Sequence, residues 1–295
     1  MSDRSDVLAR LTGDDKFLLT THENPDGDAI GSLVAMAFVL RALGKDVVMY
    51  LPAHEFPLSP ECRDLLRRDE TIGEVPADIG ERTVVYLDCG AFERMNVEAL
   101  RTDSRALVNI DHHQDNPGYG DHVLIESDRS STAEIVYSIA RELGVELSSD
   151  AALALYVGIV TDTGRFMYQN TGANTHEAVA ELIRRGVDVH GVYRKLYEDQ
   201  PAGKVQLLAR ALGRLQRFDD GRLAIVNLTR ADFDQTAAEE SFTEGIVDHV
   251  RAIAGTVVGA LYREFETEGE GVRAKISLRS SDESFDVSAI ARAFE

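Results

Sequence analysis

Apolar positions along the first 190 or so residues alternate between two rhythms. Short β-branched runs, "FLLTT" from Phe17, "DVVMY" from Asp46, "TVVYLD" from Thr83 and "ALVNID" from Ala106, are separated by stretches of helical spacing at Ile30–Leu43, near Glu61–Arg68 and near Glu93–Leu100. Runs of strand length alternating with amphipathic stretches predict an α/β domain: a parallel sheet with helices on both faces. Helices then dominate. "STAEIVYSIARELG" places Ile135, Ile139 and Leu143 on one face, "SSDAALALYVGIVTD" opens on a Ser/Asp cap, and "NTHEAVAELIRRG" stops at Gly186.

After a further helical stretch over Val189–Leu212 the texture changes to "GRLQRF", "LAIVNL", "GTVVGALYREFE" and "VRAKISLRS", with two helical segments between them. This predicts a smaller α+β domain. The resulting expectation is a first domain over 1–190, a helical linker over 191–210 and a second domain over 211–295.

Composition narrows the picture. A chain of 295 residues with 44% hydrophobic and 28% charged residues has ordinary globular usage and enough length for two cores. Its net charge of −20, spread along the whole chain, argues against a protein that coats long duplex DNA or long RNA, which needs a broad basic surface to release counterions. The longest apolar run, "AALALYVGIV", is far short of the roughly 20 residues of a membrane span. With no apolar leader at the N-terminus and only Cys62 and Cys89, in no ligand or disulfide spacing, the expectation is a cytoplasmic protein without a membrane partner.

The chemistry sits at the ends of the predicted strands. "FLLTT" leads into "HENPDGDAIGS", carrying His22, Asp26 and Asp28; "TVVYLD" ends at Asp88; "ALVNID" runs into Asp111, His112 and His113. Asp162 closes the apolar helix "LYVGIVTD". Each has an ordinary alternative: Asn, Pro, Asp and Gly are turn residues, Asp28 can cap the following helix, and Asp88 can end a strand. Together they say more, because ligands of open α/β sheets gather outside the carboxyl ends of the strands. Five aspartates and three histidines in one crevice repel one another unless a cation sits among them. Imidazole and carboxylate without thiolate suit Mn²⁺, with Mg²⁺, Co²⁺ or Fe²⁺ as alternatives, and so many acids suggest two ions sharing a bridging carboxylate.

The set "HENPDGDAIGS", "VVYLD", "DHH" and "GIVTDTGRF" resembles the four motifs of the DHH phosphoesterases, and with "SDRSSTAEIV" it resembles the nanoRNase branch that carries a DHHA1 domain. The resemblance implies one metal held by His22, Asp26 and Asp88 and a second held by Asp28, Asp88, His112 and Asp162. It implies that Asp111 fixes an imidazole and that His113 faces the scissile phosphate. Arg129, Ser130 and Ser131 would then help hold a phosphate, and Arg279 the far end of the substrate. The implied reaction is two-metal hydrolysis of short RNA oligonucleotides and linear dinucleotides such as pApA or pGpG to mononucleotides, and removal of a phosphate from pAp. An inorganic pyrophosphatase, whose motif resembles "NPDTDS" rather than "NPDGDA", a RecJ-like exonuclease and a non-catalytic nucleotide sensor stay open as alternatives, as does a homodimer. DHHA1 domains carry a glycine-rich "GGGH" segment after the helix that "FDVSAIARAFE" resembles, so the expectation for a chain ending at Glu295 is a raised KM and a frayed end to the second sheet.

Overall fold

The computed structural model describes residues 4–292 apart from 60, 61, 96, 199, 268–270 and 283, and divides at Leu196/Tyr197 into two units. In the first unit, helix α1 (Arg4–Gly13) precedes β1 (Lys16–Thr20), α2 (Gly27–Ala42), β2 (Asp46–Met49), β3 (Thr83–Leu87), α3 (Glu98–Thr102), β4 (Ala106–Asp111) and β5 (His122–Ile125). Helices α4 (Thr132–Glu142), α5 (Ser149–Asp162), α6 (Ala173–Arg184) and α7 (Val189–Tyr193) follow. The strands form one parallel sheet in the order β2-β1-β3-β4-β5, so the winding reverses between β1 and β3. Outside the strand ends at such a reversal the following loops part and leave a crevice.

Strands β3 and β4 are buried along their whole length, which is why they read as unbroken apolar runs rather than alternating ones. On one face lie α2, α4 and α5, and α2 and α5 are themselves buried on nearly all sides. Two glycines make the α2/α5 crossing possible: a Cβ on Gly31 would lie 2.4 Å from the Ala154 carbonyl oxygen, and one on Gly158 would meet Ala133 at 2.7 Å and Asp28 at 3.0 Å. The opposite face packs Leu18, Val84, Tyr86 and Leu107 against Ile79, Phe92, Met95 and Leu100.

That second face departs from the sequence expectation. Residues 62–65 form turns, followed by a 3₁₀ turn at Arg68–Glu70, where a helix over Glu61–Arg68 was predicted. Leu58, Cys62 and Leu66 are buried at helical spacing, but a segment this short, preceded by Pro57 and Pro60, cannot recover the cost of helix nucleation. The helix predicted near Glu93–Leu100 is likewise divided into a 3₁₀ turn at Phe92–Met95 and the short α3. Helix α1 and strand β5 were not foreseen.

In the second unit, α8 (Ala202–Gly213), β6 (Gln216–Phe218), β7 (Leu223–Leu228), α9 (Arg230–Thr236), α10 (Ile246–Arg251), β8 (Val258–Thr267), β9 (Gly271–Ser280) and α11 (Val287–Arg292) build a mixed α+β layer. The sheet order is β6-β7-β8-β9, with β7 and β8 parallel and the outer pairs antiparallel. Leu207, Ala224, Val226, Leu228, Phe233, Ile246, Val250 and Leu261 form its core. The frayed end expected at the last residues falls on 293–295, outside the described residues.

Asp232 ties this unit together. Its carboxylate closes the capping box of α9 by accepting from the Thr229 N–H at 2.8 Å, and it pairs with Arg214 and Arg210. The Arg214 guanidinium, ahead of the opposing effect of burial, holds its pKa far below the usual carboxylate range. Because the folded-state pKa is depressed, this stabilisation is full above the unfolded value near 3.9 and is lost as pH falls toward the folded one. Asp232→Ala is expected to destabilise the second unit by about 2 kcal/mol at pH 7, less than a fully buried pair because both arginines keep contact with water. Hydrogen exchange of α9 and β7 amides in the full chain reads this directly, and the gap to the parent should shrink below about pH 4; a gap independent of pH would show that the ion pairs contribute nothing.

Candidate metal centre

Strand β1 delivers His22 to the crevice, and a turn through Asn24, in the left-handed region at φ 52°, brings in Asp26. Asp26 is the N-cap of α2: its Oδ1 accepts from the Asp28 and Ala29 N–H groups at 3.0 and 3.1 Å. Asp28 is therefore free of the capping duty that its position suggested. Its carboxylate turns instead to the start of α4, accepting from the Thr132 and Ala133 N–H groups at 2.7 and 2.8 Å, where the helix terminus favours negative charge. The close approach at Gly158 lets this acid lie against α5, whose last residue is Asp162.

Asp88 follows β3 with φ 55°, a left-handed conformation that aspartate tolerates better than most residues. The turn places a buried carboxylate among three imidazoles. His22 Nε2 lies 3.7 Å from its Oδ2, and His112 Nε2 and His113 Nδ1 lie 3.6 and 3.7 Å from its Oδ1. His112 Nε2 also lies 3.7 Å from Asp162 and 4.0 Å from Asp28. These separations are too long for hydrogen bonds and suit donors arranged around an ion.

Three groups offer ligand atoms within 4.8 Å of one another: His22, Asp26 and Asp88; Asp28, His112 and Asp162; and Asp88, Asp111, His112 and His113. Asp88 belongs to two of them. Asp111 is differently committed, since its Oδ1 accepts from the His112 N–H and from His113 Nδ1, both at 2.8 Å, and its Oδ2 accepts from Asn116 at 2.6 Å. It therefore orients the His113 ring.

The electrostatics test whether a cation fits. Burial, followed by the charges of Asp88 and Asp162, drives the Asp28 pKa well above its usual value. Burial and the charges of Asp88 and Asp26 push Asp162 up to about 8. Burial opposes the Asp88 carboxylate too, but His22, His113 and His112 outweigh it and hold its pKa at about 2. The hydrogen bond to Asp111 raises His113 to about 9. Carboxylates forced toward protonation beside imidazoles aimed at a common point are a donor set that a divalent cation would relieve, and the residues fit one.

The proposed substrate residues are placed differently. Ser130 and Ser131 are buried: Ser130 Oγ donates to Glu134 at 2.6 Å, and Ser131 Oγ caps α4 by accepting from the Glu134 N–H at 3.1 Å. Arg129 pairs with Glu126 at 3.1 Å and Glu134 at 3.2 Å. Arg279 lies on β9 in the second unit, where it donates to the Leu278 carbonyl at 3.1 Å. Sequence reasoning missed Arg94, whose Nη2 lies 3.0 Å from His22 Nδ1, and Asn170, whose amide donates to the Ser130 carbonyl at 2.8 Å and to the Asp162 carboxylate at 3.3 Å. Neither stands at the end of a predicted strand: Arg94 falls in the helix predicted near Glu93–Leu100, and Asn170 lies between two predicted helices.

Residues 16–159 match the DHH family, N-terminal domain. A bifunctional oligoribonuclease and PAP phosphatase NrnA of Thermus thermophilus is 31% identical over 276 residues, covering 94% of this chain and 79% of its own length. The protein of the same name in Bacillus subtilis is 25% identical over 304 residues, covering 95% of each chain. The crystal structure of an exopolyphosphatase-related protein from Bacteroides fragilis shares the fold with a TM-score of 0.83 at 24% identity, over 94% of this chain and 83% of that one. The chain belongs to the DHH family and is, with it, a metal-dependent phosphoesterase.

Proposed function

We propose that the protein hydrolyses short oligoribonucleotides and linear dinucleotides to mononucleotides and removes a phosphate from pAp, using two divalent cations, Mn²⁺ in preference to Mg²⁺ or Co²⁺, in the cytoplasm. The observation that carries this reading is the convergence of His22, Asp26, Asp28, Asp88, His112 and Asp162 on one crevice, in a chain whose relatives are named for these activities. His22, Asp26 and Asp88 would hold one cation and Asp28, Asp88, His112 and Asp162 the other. When bound, the pair supplies Lewis acidity, lowering the pKa of water toward neutrality and offsetting charge on the phosphoryl oxygens.

The remaining side chains act around it. Asp111 holds the His113 ring through Nδ1 and keeps it protonated at neutral pH, so His113 offers a positive donor to a phosphoryl oxygen. Asn116 fixes Asp111 in turn. We assign Arg129, Ser130 and Ser131 to the phosphate side and Arg279 to the distal end of the substrate; of these, Ser130 and Ser131 would act by shaping the start of α4, given their burial.

Turnover of pAp, pApA, a five-nucleotide RNA, a long single strand and pyrophosphate with Mn²⁺ tests the reading. With a net charge of −20, attraction is local to the metals and a few arginines, so kcat/KM should not rise beyond a few nucleotides. Long RNA or pyrophosphate consumed faster than pAp and pApA would refute the proposal.

A further inference from the structure

Asp162 stands where a carboxylate has little reason to stay. It is the last residue of α5, at the helix end that disfavours negative charge, and the carboxylates of Asp88 and Asp26 repel it. Its side chain is 29% exposed, against 1% for Asp28 and 13% for His112, the other members of its ligand group, so a way out to water is open. Yet its Oδ2 lies inside the group, 3.7 Å from His112 Nε2. Among the described residues its carboxylate accepts one hydrogen bond, from Asn170.

Asn170 faces three oxygens with its amide nitrogen: the Ser130 carbonyl at 2.8 Å, the Asp162 carbonyl at 3.2 Å and Asp162 Oδ2 at 3.3 Å. Carbonyl and carboxylate oxygens only accept, so the nitrogen and not the amide oxygen must point at them, and its two N–H groups serve all three. Ser130 immediately precedes Ser131, the N-cap of α4. The next two N–H groups hold Asp28, and the Thr132 hydroxyl donates to Asp88 at 3.1 Å. One amide thus ties the end of α5 to the helix start that positions two other acids of the centre.

The loop that delivers Asn170 is strained. Gly164, Arg165 and Phe166 are successive left-handed residues at φ 52°, 66° and 66°, a conformation that the two bulky side chains disfavour. Thr163 pins the turn, its Oγ1 accepting from the Phe166 N–H at 3.1 Å and its carbonyl from the Met167 and Tyr168 N–H groups at 3.0 Å, and the Phe166 ring packs 5.4 Å from that of His176. Such strain persists only where the surroundings over-determine it. Here it folds the chain back so that Asn170 meets Asp162.

We propose that Asn170 is a positioning residue: by tying Asp162 to the start of α4 it keeps that carboxylate beside Asp28 and His112 and so sets the affinity of this group for a divalent cation. A carboxylate oxygen has lone pairs enough to accept from Asn170 and still serve a cation. That the cation then serves phosphoester hydrolysis rests on the function proposed above; the dependence of its binding on Asn170 does not.

Asn170→Ala, and Asn170→Leu, which keeps the side-chain volume without its N–H groups, test this by calorimetric titration with Mn²⁺. Each should weaken Mn²⁺ binding at one site roughly tenfold. Turnover of pAp lost at limiting Mn²⁺ should return to within about threefold of the parent at saturating Mn²⁺, with KM for pAp unchanged. In an Asp162→Ala background, where no carboxylate is left to position, Asn170→Ala should change Mn²⁺ affinity by less than about twofold. A merely structural role would carry the loss into that background, and a direct substrate contact would raise KM at saturating Mn²⁺. Either result overturns the proposal, as does parental Mn²⁺ affinity in both single variants. A parent that binds Mn²⁺ but turns over neither pAp nor pApA refutes the proposed function alone, since the binding cycle stands without catalysis.

Discussion

Asp88→Ala is expected to lower kcat at least about 10³-fold on every substrate the parent hydrolyses, with saturating Mn²⁺ unable to restore it. Asp88 is the carboxylate that belongs to two of the three candidate ligand groups, and its two oxygens face different imidazoles: Oδ2 faces His22, and Oδ1 faces His112 and His113. On the two-cation reading proposed above, removing it would take a donor from both cations; it also takes the counter-charge from three rings at once. Asp26→Ala is the informative comparison. It removes a donor from one group and the N-cap of α2, which by itself costs about 1 kcal/mol of stability. Its turnover should fall less and recover in part at high Mn²⁺. Measured Mn²⁺ stoichiometry should drop furthest in Asp88→Ala, with the melting of the second unit unchanged as a folding control. Near-parental turnover of folded Asp88→Ala would remove the shared-carboxylate arrangement.

This centre was legible in the sequence because each ligand candidate stands at the end of an element whose own pattern is strong. Strands β1, β3 and β4 are buried and read as apolar runs, so His22, Asp88 and the pair after Asp111 announce themselves as polar residues at their carboxyl ends. What the pattern could not supply was the division of labour between neighbours. Asp26 and Asp28 look equivalent as turn acids, yet Asp26 caps α2 while Asp28 reaches α4, a contact set by the glycine-lined crossing of α2 and α5 rather than by local preference. Ser130 and Ser131 look like a phosphate loop, but the S-x-x-E spacing from Ser131 to Glu134 is also a capping signal, and the helix start takes their hydroxyls. Residues 62–66 carry helical spacing without the length to propagate a helix. Arg94 and Asn170 act through tertiary contacts that leave no periodic trace.

Metal and pH should trade places in controlling the stability of the first unit, an effect of several kcal/mol. In the absence of metal, Asp162 titrates near 8 when folded, against an ordinary 3.8, and His113 near 9, against 6.5. Between about pH 6.5 and 9 the folded state therefore binds more protons than the unfolded one, and stability must fall as pH rises. For Asp162 this is the growing cost of charging a buried carboxyl that also lies beside the carboxylates of Asp88 and Asp26; for His113 it is the loss of a charged partner for Asp111. Asp162→Asn keeps the shape of the side chain and an oxygen for Asn170, but removes the titrating charge. Under chelator at pH 8.5 the variant is expected to be more stable than the parent by on the order of 2 kcal/mol, with a flatter pH profile. A divalent cation should reverse the order: at about a thousandfold excess over its Kd it stabilises the parent by about 4 kcal/mol, and the variant, with one donor fewer, by clearly less. The gain should be larger at pH 8.5 than at pH 6.5, because at the lower pH protons already neutralise the carboxylates that the cation needs. Thermal unfolding of the first unit with chelator and with Mg²⁺ at both pH values checks each part. Parallel pH profiles for parent and variant under chelator would show that Asp162 is not under the carboxylate repulsion inferred here, and the electrostatic case for a cation at this position would go with it.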